Sequence, residues 1–322
     1  MSTQPEQLAE PGTLRQQHQR EPAPVAAAPG RRLEALTPYL FLAPYLLLFT
    51  VFVLVPAIYG FWISLHSWDF LLPAKPFVGF QNYTSLFTEG SLTGFNFWQS
   101  MRATWTFVAY SVPLLLVIPL LVALVLNRSF PGRTVFRAIY FAPYVLGVAV
   151  IGILFRFLLD TNIGLLNSFL GALGIDRIAW LSEIPWVWVS LVGATVWWTL
   201  GFNAIIYLAG LQDIGRDQYE AAEVDGANAW NKFWHITIPG LRPVLVLVTT
   251  ITILASANMF GQSLLISQGA PGNATRTAIM YIAEEGLGSF RMGNAAAMSY
   301  LLMLFLIATS LAVFAFFRRW ED

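Results

Sequence analysis

Six long stretches of this 322-residue chain contain no Asp, Glu, Lys or Arg. They lie between Glu34 and Asp69, Arg102 and Arg128, Arg137 and Arg156, Glu183 and Asp213, Arg242 and Arg276, and Arg291 and Arg318. Each is near or above the ~20 apolar residues a helix needs to cross a bilayer. Lipid offers no hydrogen-bond partners, so backbone groups inside it must be satisfied within their own segment. Runs of this length are therefore helices and not strands. Buried helices of a soluble protein are the competing reading. They do not account for six runs with aromatics at their ends, such as Trp62 and Trp68 or Trp186 and Trp188, which read as membrane-interface anchors. Composition agrees, because only 11% of the residues are charged where soluble domains carry about a quarter. The expected fold class is an all-α integral membrane protein. Its six transmembrane helices fall at roughly 39–65, 103–127, 137–158, 185–211, 243–267 and 294–317, within a 38–320 membrane domain.

Charge fixes the expected orientation. Arg15, Arg20, Arg31 and Arg32 precede the first run. Arg128, Arg133 and Arg137 follow the second, Arg216, Lys232 and Arg242 follow the fourth, and Arg318 and Arg319 follow the sixth. Twelve of the 18 basic residues thus share one side, which the positive-inside rule makes cytoplasmic, with both termini. Residues 1–37 are rich in Gln, Glu, Pro and Ala and lack an apolar signal-peptide core, so they read as a disordered cytoplasmic tail. Net charge is zero and offers nucleic acid no field. The absence of Cys excludes disulfides and thiol chemistry. His18, His66 and His235 lie too far apart in sequence to suggest a metal cluster, and no set of residues points to catalysis. A nucleotide-binding phosphate loop needs Gly-Lys followed by Ser or Thr. Lys75 precedes Pro76 and Lys232 follows Asn231, so neither lysine fits.

The segment between the fourth and fifth runs, 212–242, is the most informative. Asp217 is a candidate helix cap with Glu220 three residues on. Ala221 and Ala222 favour helix without bulk, and Gly226 permits a left-handed stop. A second amphipathic piece with Trp230, Phe233 and Trp234 comes next, and Pro239 and Pro243 introduce the fifth run. Spacing alone leaves two readings open, a short helix that docks on another protein or an ordinary connector.

The order Glu220-Ala221-Ala222, Asp225-Gly226-Ala227 and Ile236-Thr237-Ile238-Pro239 resembles the EAA loop of bacterial ABC importer permeases. The spacing from Gly226 to Ile236 matches as well, while Gly215 stands where that family often has Pro. Further segments resemble the maltose-type, carbohydrate-importing group: Ala43-Pro44 with Pro56, Val78 to Tyr83, Phe97-Trp98, and Phe155-Arg156-Phe157 through Gly164-Leu165-Leu166-Asn167. The resemblance covers most of 38–320. It implies a type I importer permease fold in the bacterial inner membrane, with the 217–239 loop as the coupling helix. Glu220, Ala221, Ala222, Asp225, Gly226, Ala227 and Pro239 would then meet a separate ATPase. The implied partners are a second homologous permease, two ATPase subunits carrying ATP and Mg²⁺, and an extracytoplasmic solute-binding protein. No cofactor is implied on this chain itself.

A sugar requires hydrogen-bonding groups for its hydroxyls and an aromatic face for its C–H surface. The fourth run offers Trp197, Trp198, Phe202 and Asn203, and the fifth offers Ser256, Asn258, Phe260 and Gln262. Polar amides inside a span are costly unless they face a cavity or a partner helix. The resemblance points to Leu200, Gly201, Ser256, Asn258 and Phe260 as substrate positions. Asn203, Asn258 and Gln262 could equally bond the partner permease. A permease for glycerol-phosphate, phosphate or polyamine is the nearest alternative, although no span carries the central cation a phosphate would call for. An ion-gradient-driven transporter would require an intramembrane carboxylate or histidine relay, and apart from His66 at an edge the spans have none.

Overall fold

The computed structural model describes residues 31–318. The expected tail lies outside the described residues up to position 30, and residues 31–37 form the first turns of a helix. No strand occurs among the described residues, only isolated bridges at His66–Phe77 and Asp69–Arg291.

The chain divides into two units at Ala57. The first contains α1 (Arg31–Phe49), a π turn at Thr50–Leu54 and the start of α2 (Val55–Ser64). Pro38–Ser64 is long and apolar enough to cross a membrane. Leu40, Phe41 and Phe52 stand exposed on it, as they can where the solvent is lipid.

The second unit begins at Ile58. Its first part holds α3 (Gln81–Thr84), α4 (Leu92–Asn127), α5 (Arg133–Val145), α6 (Val148–Leu158) and α7 (Leu165–Ala172). Then come α8 (Trp186–Asp213), α9 (Arg216–Val224), α10 (Ala229–Lys232) and α11 (Ile238–Gly240). Last are α12 (Arg242–Ala257), α13 (Ala278–Ala283) and α14 (Met292–Arg318).

Ser91 starts α4 by accepting a hydrogen bond from the Gly94 N–H, well ahead of the expected start at 103. At 1.5 Å per residue α4 is about 54 Å long, against a hydrocarbon core of ~30 Å. The surplus is at its N-terminal end, where Phe97 and Met101 are buried with Leu86, Tyr281 and Met298. Further along, Phe107 packs with Val187, Leu191 and Ala194 of α8, and Leu126 packs with Tyr207, Leu211 and Val248. The α4–α8 pair is thus the spine of this unit.

Pro38–Ser64, α4, α8 and α14 each have the length and apolarity of a span. The regions expected as spans over 137–158 and 243–267 are bent. The α5–α6 pair bends by 96° at Leu146–Gly147, and the piece Ala229–Gly240 meets α12 at 69°. Pro143 removes a backbone donor just before the first break, and Leu146 and Gly147 are extended. Pro239 and Pro243 flank the second bend. The fifth region is interrupted again after Ala257, where Asn258, Met259 and Phe260 leave the helix.

Asn167, at the end of the Gly164–Asn167 motif, is buried. Its side chain donates to the Thr161 and Ile178 carbonyls and accepts from Ile178 N–H and Trp180 Nε1, closing the loop that leads into α8.

Gly201 lets α8 and α5 approach closely. A Cβ there would lie 2.3 Å from the Tyr140 carbonyl oxygen and 2.6 Å from Phe141 Cα, both rigid backbone. Gly201→Ala is expected to destabilise by about 1–3 kcal/mol through overpacking, read as a lower unfolding temperature in detergent. Gly171→Ala on α7, where nothing lies within 4 Å of a new Cβ, is expected to be neutral or stabilising by roughly 0.5–1 kcal/mol. Equal stability of the two variants would contradict the α5–α8 contact.

Candidate functional site

A cavity of about 450 Å³ lies among α4, α8, α12 and the two helix breaks, a size within the usual range for small-molecule sites. Its position is set by where the helices stop. Tyr144 and Val148 flank the α5–α6 break, and Asn258 to Gln262 span the interruption after α12; both sets line the cavity.

Broken helices free backbone groups that lipid cannot satisfy, and here side chains take them up. Trp198 Nε1 donates to the Leu146 carbonyl at 3.0 Å. Thr277 Oγ1 donates to the Met259 carbonyl at 2.7 Å. Asn258 Nδ2 adds a bond of 2.7 Å to the Leu254 carbonyl, which already accepts the Asn258 backbone N–H at 3.1 Å in the last turn of α12. One wall is aromatic, with Tyr144 stacked on Phe202 at 4.8 Å between centroids and Trp198 at 6.5 Å.

The candidate substrate residues separate into three groups. Asn258 and Phe260 face the cavity from the unwound segment, and Gln262 faces it from the helical turn that follows. The Gln262 side chain has no hydrogen-bond partner among the described residues, whereas Asn258 keeps its carbonyl oxygen available. Asn203 and Ser256 also line the cavity but are buried in a network between helices. Asn203 Nδ2 donates to the Leu115 carbonyl at 3.1 Å and to Thr252 Oγ1 at 3.3 Å, and Ser111 Oγ donates to Ser256 Oγ at 3.2 Å. These bonds tie α4, α8 and α12 together within the chain.

Trp197, Leu200 and Gly201 are not brought into this cavity. Trp197 and Leu200 line a separate apolar groove of about 780 Å³ beside Tyr110 and Gly193, and Gly201 faces the α5 backbone. Sequence reasoning overlooked Tyr144, Trp198's tie to Leu146 and Thr277; Pro143 with Gly147 was the available signal for the first two.

The second candidate region is the segment after α8. Helix α9 begins with Gly215 as its cap residue, so Asp217 is not the cap and instead lies in the first turn, where a carboxylate still meets the positive end of the helix. The helix ends in a Schellman motif: Ala227 N–H reaches the Ala222 carbonyl at 2.8 Å and Gly226 N–H the Glu223 carbonyl at 3.1 Å. Gly226 is left-handed, with φ +77°, as its position suggested. Asn228 then caps α10, accepting from Asn231 N–H at 2.8 Å. Two contacts fold α9 back on α10 and the π turn after it. Lys232 pairs with Glu223 at 2.7 Å, holding that carboxyl below its usual range. Tyr219 and the buried Thr237 share a hydrogen bond at 3.0 Å.

Glu220, Ala221, Asp225, Gly226 and Pro239 are exposed, while Ala222 and Ala227 are partly covered. Val224 at 88% and Trp230 at 67% exposure place apolar side chains on the same segment as the exposed carboxylates of Glu220 and Asp225.

The model of the family described as "Binding-protein-dependent transport system inner membrane component" matches residues 90–322. The arabinooligosaccharides transport system permease protein AraP of Bacillus subtilis is 36% identical over 279 residues, covering 85% of this chain and 86% of the relative. The trehalose/maltose transport system permease protein MalF of Thermococcus litoralis is 35% identical over 274 residues, covering 84% and 91%. A crystal structure of a bacterial ABC transporter for import of the acidic polysaccharide alginate shares the fold, with a TM-score of 0.76 at 24% identity over 90% of this chain and 99% of that one. This chain belongs to the family of inner-membrane components of binding-protein-dependent transport systems.

Proposed function

We propose that this chain is one of two homologous permease subunits of an ATP-binding-cassette importer and that its cargo is a carbohydrate. The observation that carries the cargo assignment is the cavity between the broken helices. Its Tyr144–Phe202–Trp198 wall can cover the C–H face of a sugar ring, and Asn258 and Gln262 can bond hydroxyls. The lining has no charged side chain, which suits a neutral polar solute better than a phosphate or polyamine. The names of the relatives, transporters of arabinooligosaccharides and of trehalose and maltose, support the same class.

In this reading each bent pair is one span, giving six, and the 212–242 segment faces the cytoplasm with both termini. Two ATPase subunits holding ATP and Mg²⁺ dock there, and a solute-binding protein delivers sugar from the opposite side. The α9 surface around Ala221, Asp225 and Gly226 seats on the ATPase. Helix α8 ends at Asp213 just before α9, and the α10–α11 piece runs directly into α12. A pull on the segment therefore reaches both helices that line the cavity. The Asn203–Thr252 bond couples them, and the unwound 258–260 backbone absorbs the change without losing a complete helix.

Two substitutions separate the residues that meet sugar from those that hold the helices. Gln262→Ala removes a hydrogen bond worth about 0.5–1.5 kcal/mol and is expected to raise the half-saturating sugar concentration of the assembled importer two- to tenfold at unchanged abundance. Asn203→Leu is expected instead to lower abundance, because the α4–α8–α12 network is opened. A Gln262→Ala importer with wild-type sugar dependence would move the sugar site elsewhere.

For the coupling surface, Gly226→Asp places a side chain and a charge on the docking face. Both Gly226→Asp and Gly226→Ala incur a left-handed penalty of roughly 1–2 kcal/mol, and neither Cβ meets anything within 4 Å in the chain. Uptake is expected to be abolished in Gly226→Asp and reduced less in Gly226→Ala, with membrane abundance normal in both. Wild-type uptake in Gly226→Asp with the ATPase bound would mark the segment as a plain connector.

A further inference from the structure

A cavity of about 590 Å³ opens where α12 begins and α14 ends, away from the sugar cavity and on the side of the 212–242 segment. Its construction repeats on both helices. On α12, Arg242 stands at the helix start with Val246 one turn deeper; on α14, Phe314 stands one turn deeper than Arg318. Each helix thus contributes a guanidinium at the edge of a membrane span and an apolar side chain ~5.4 Å further in. Among the described residues no carboxylate lies within ion-pair distance of either arginine. Arg242 is held in place by donating to the Phe317 carbonyl at the α14 terminus, which leaves its other N–H groups available. Phe314 is 54% exposed beside the cavity.

Two adjacent cations above an apolar, lipid-level wall match one ligand chemistry, a phosphate monoanion attached to acyl chains. We propose that this cavity binds an anionic phospholipid, its headgroup phosphate between Arg242 and Arg318 and an acyl chain along Val246 and Phe314. Planar guanidinium groups suit phosphate oxygens, and basic pockets between transmembrane helices are a recognised form of lipid site. A zwitterionic lipid offers the same phosphate monoanion but adds an ammonium group, which the two guanidinium groups repel. Through Arg242 the lipid would brace α14 against the start of α12, the helix that links the coupling segment to the sugar cavity.

The test is native mass spectrometry of the purified full importer assembly titrated with phosphatidylglycerol or phosphatidylcholine. The expected result is one additional phosphatidylglycerol bound in preference to phosphatidylcholine. Occupancy should weaken on the order of fivefold in Arg318→Gln, and similarly in Arg242→Gln. Arg318→Gln removes no side-chain hydrogen bond found among the described residues, so it keeps the test informative if Arg242→Gln misassembles. Soluble glycerol 1-phosphate is expected not to displace the lipid. Equal binding of the two lipids, unchanged occupancy in Arg318→Gln, or displacement by glycerol phosphate would overturn the proposal. So would a tenfold gain in affinity in the double variant Glu321→Gln, Asp322→Asn, which would identify these carboxylates as the occupants.

Discussion

A backbone carbonyl freed inside a membrane must find a donor from the protein, and two such carbonyls organise this molecule. The Leu146 carbonyl, released where α5 breaks from α6, is taken by Trp198 Nε1, and the Met259 carbonyl, released after α12, is taken by Thr277 Oγ1. Without those donors each break would leave an unsatisfied group costing several kcal/mol in hydrocarbon. With them the chain can keep non-helical backbone at the depth of its spans. The cavity exists because both interruptions open toward the same space.

Polar residues in the spans therefore divide by what they do for the backbone and for one another. Asn203, Thr252, Ser111 and Ser256 are consumed in bonds between helices. Such bonds are individually modest in membranes, at about 0.6 kcal/mol on average. Their value here is geometric, since they fix α8 to α12 on the line between the 212–242 segment and the cavity. Asn258 and Gln262 retain hydrogen-bonding capacity, which is what a solute can use. The same division holds in the α9 segment, where Lys232 and Tyr219 secure its inner side and Ala221 and Val224 remain outside.

The apolar runs were legible in the sequence because lipid enforces them residue by residue, and Gly226 was legible because a left-handed helix stop is a local matter. The breaks were less so. Pro143 and Gly147 mark the neighbourhood of the first, yet its carbonyl is satisfied from position 198, 52 residues away, and no local rule reports that. Asp217 satisfies the composition rule for a cap, but the chain turns into the helix two residues earlier, at Gly215. Trp197 and Trp198 illustrate a limit of reading residue types without helical phase. Neighbours on a helix point about 100° apart, so Trp198 joins Asn203 at the cavity while Trp197 joins Leu200 on the other groove. The 3.6-residue period could have separated them. Gly201 lies one residue from Leu200 and two from Asn203, yet it faces the Tyr140 and Phe141 backbone of α5, a contact about 60 residues away in sequence that no local rule reports.

At the centre of the proposed mechanism, an external ATPase acting through the α9 segment drives sugar through this chain and its partner permease. The most direct measurement reconstitutes the permease pair in liposomes with solute-binding protein on one side, ATP on the other, and labelled sugar, with and without the ATPase subunits. Uptake is predicted only when ATPase and ATP are present on the side of the 212–242 segment. Sugar accumulation driven by an ion gradient with no ATPase present would contradict that mechanism.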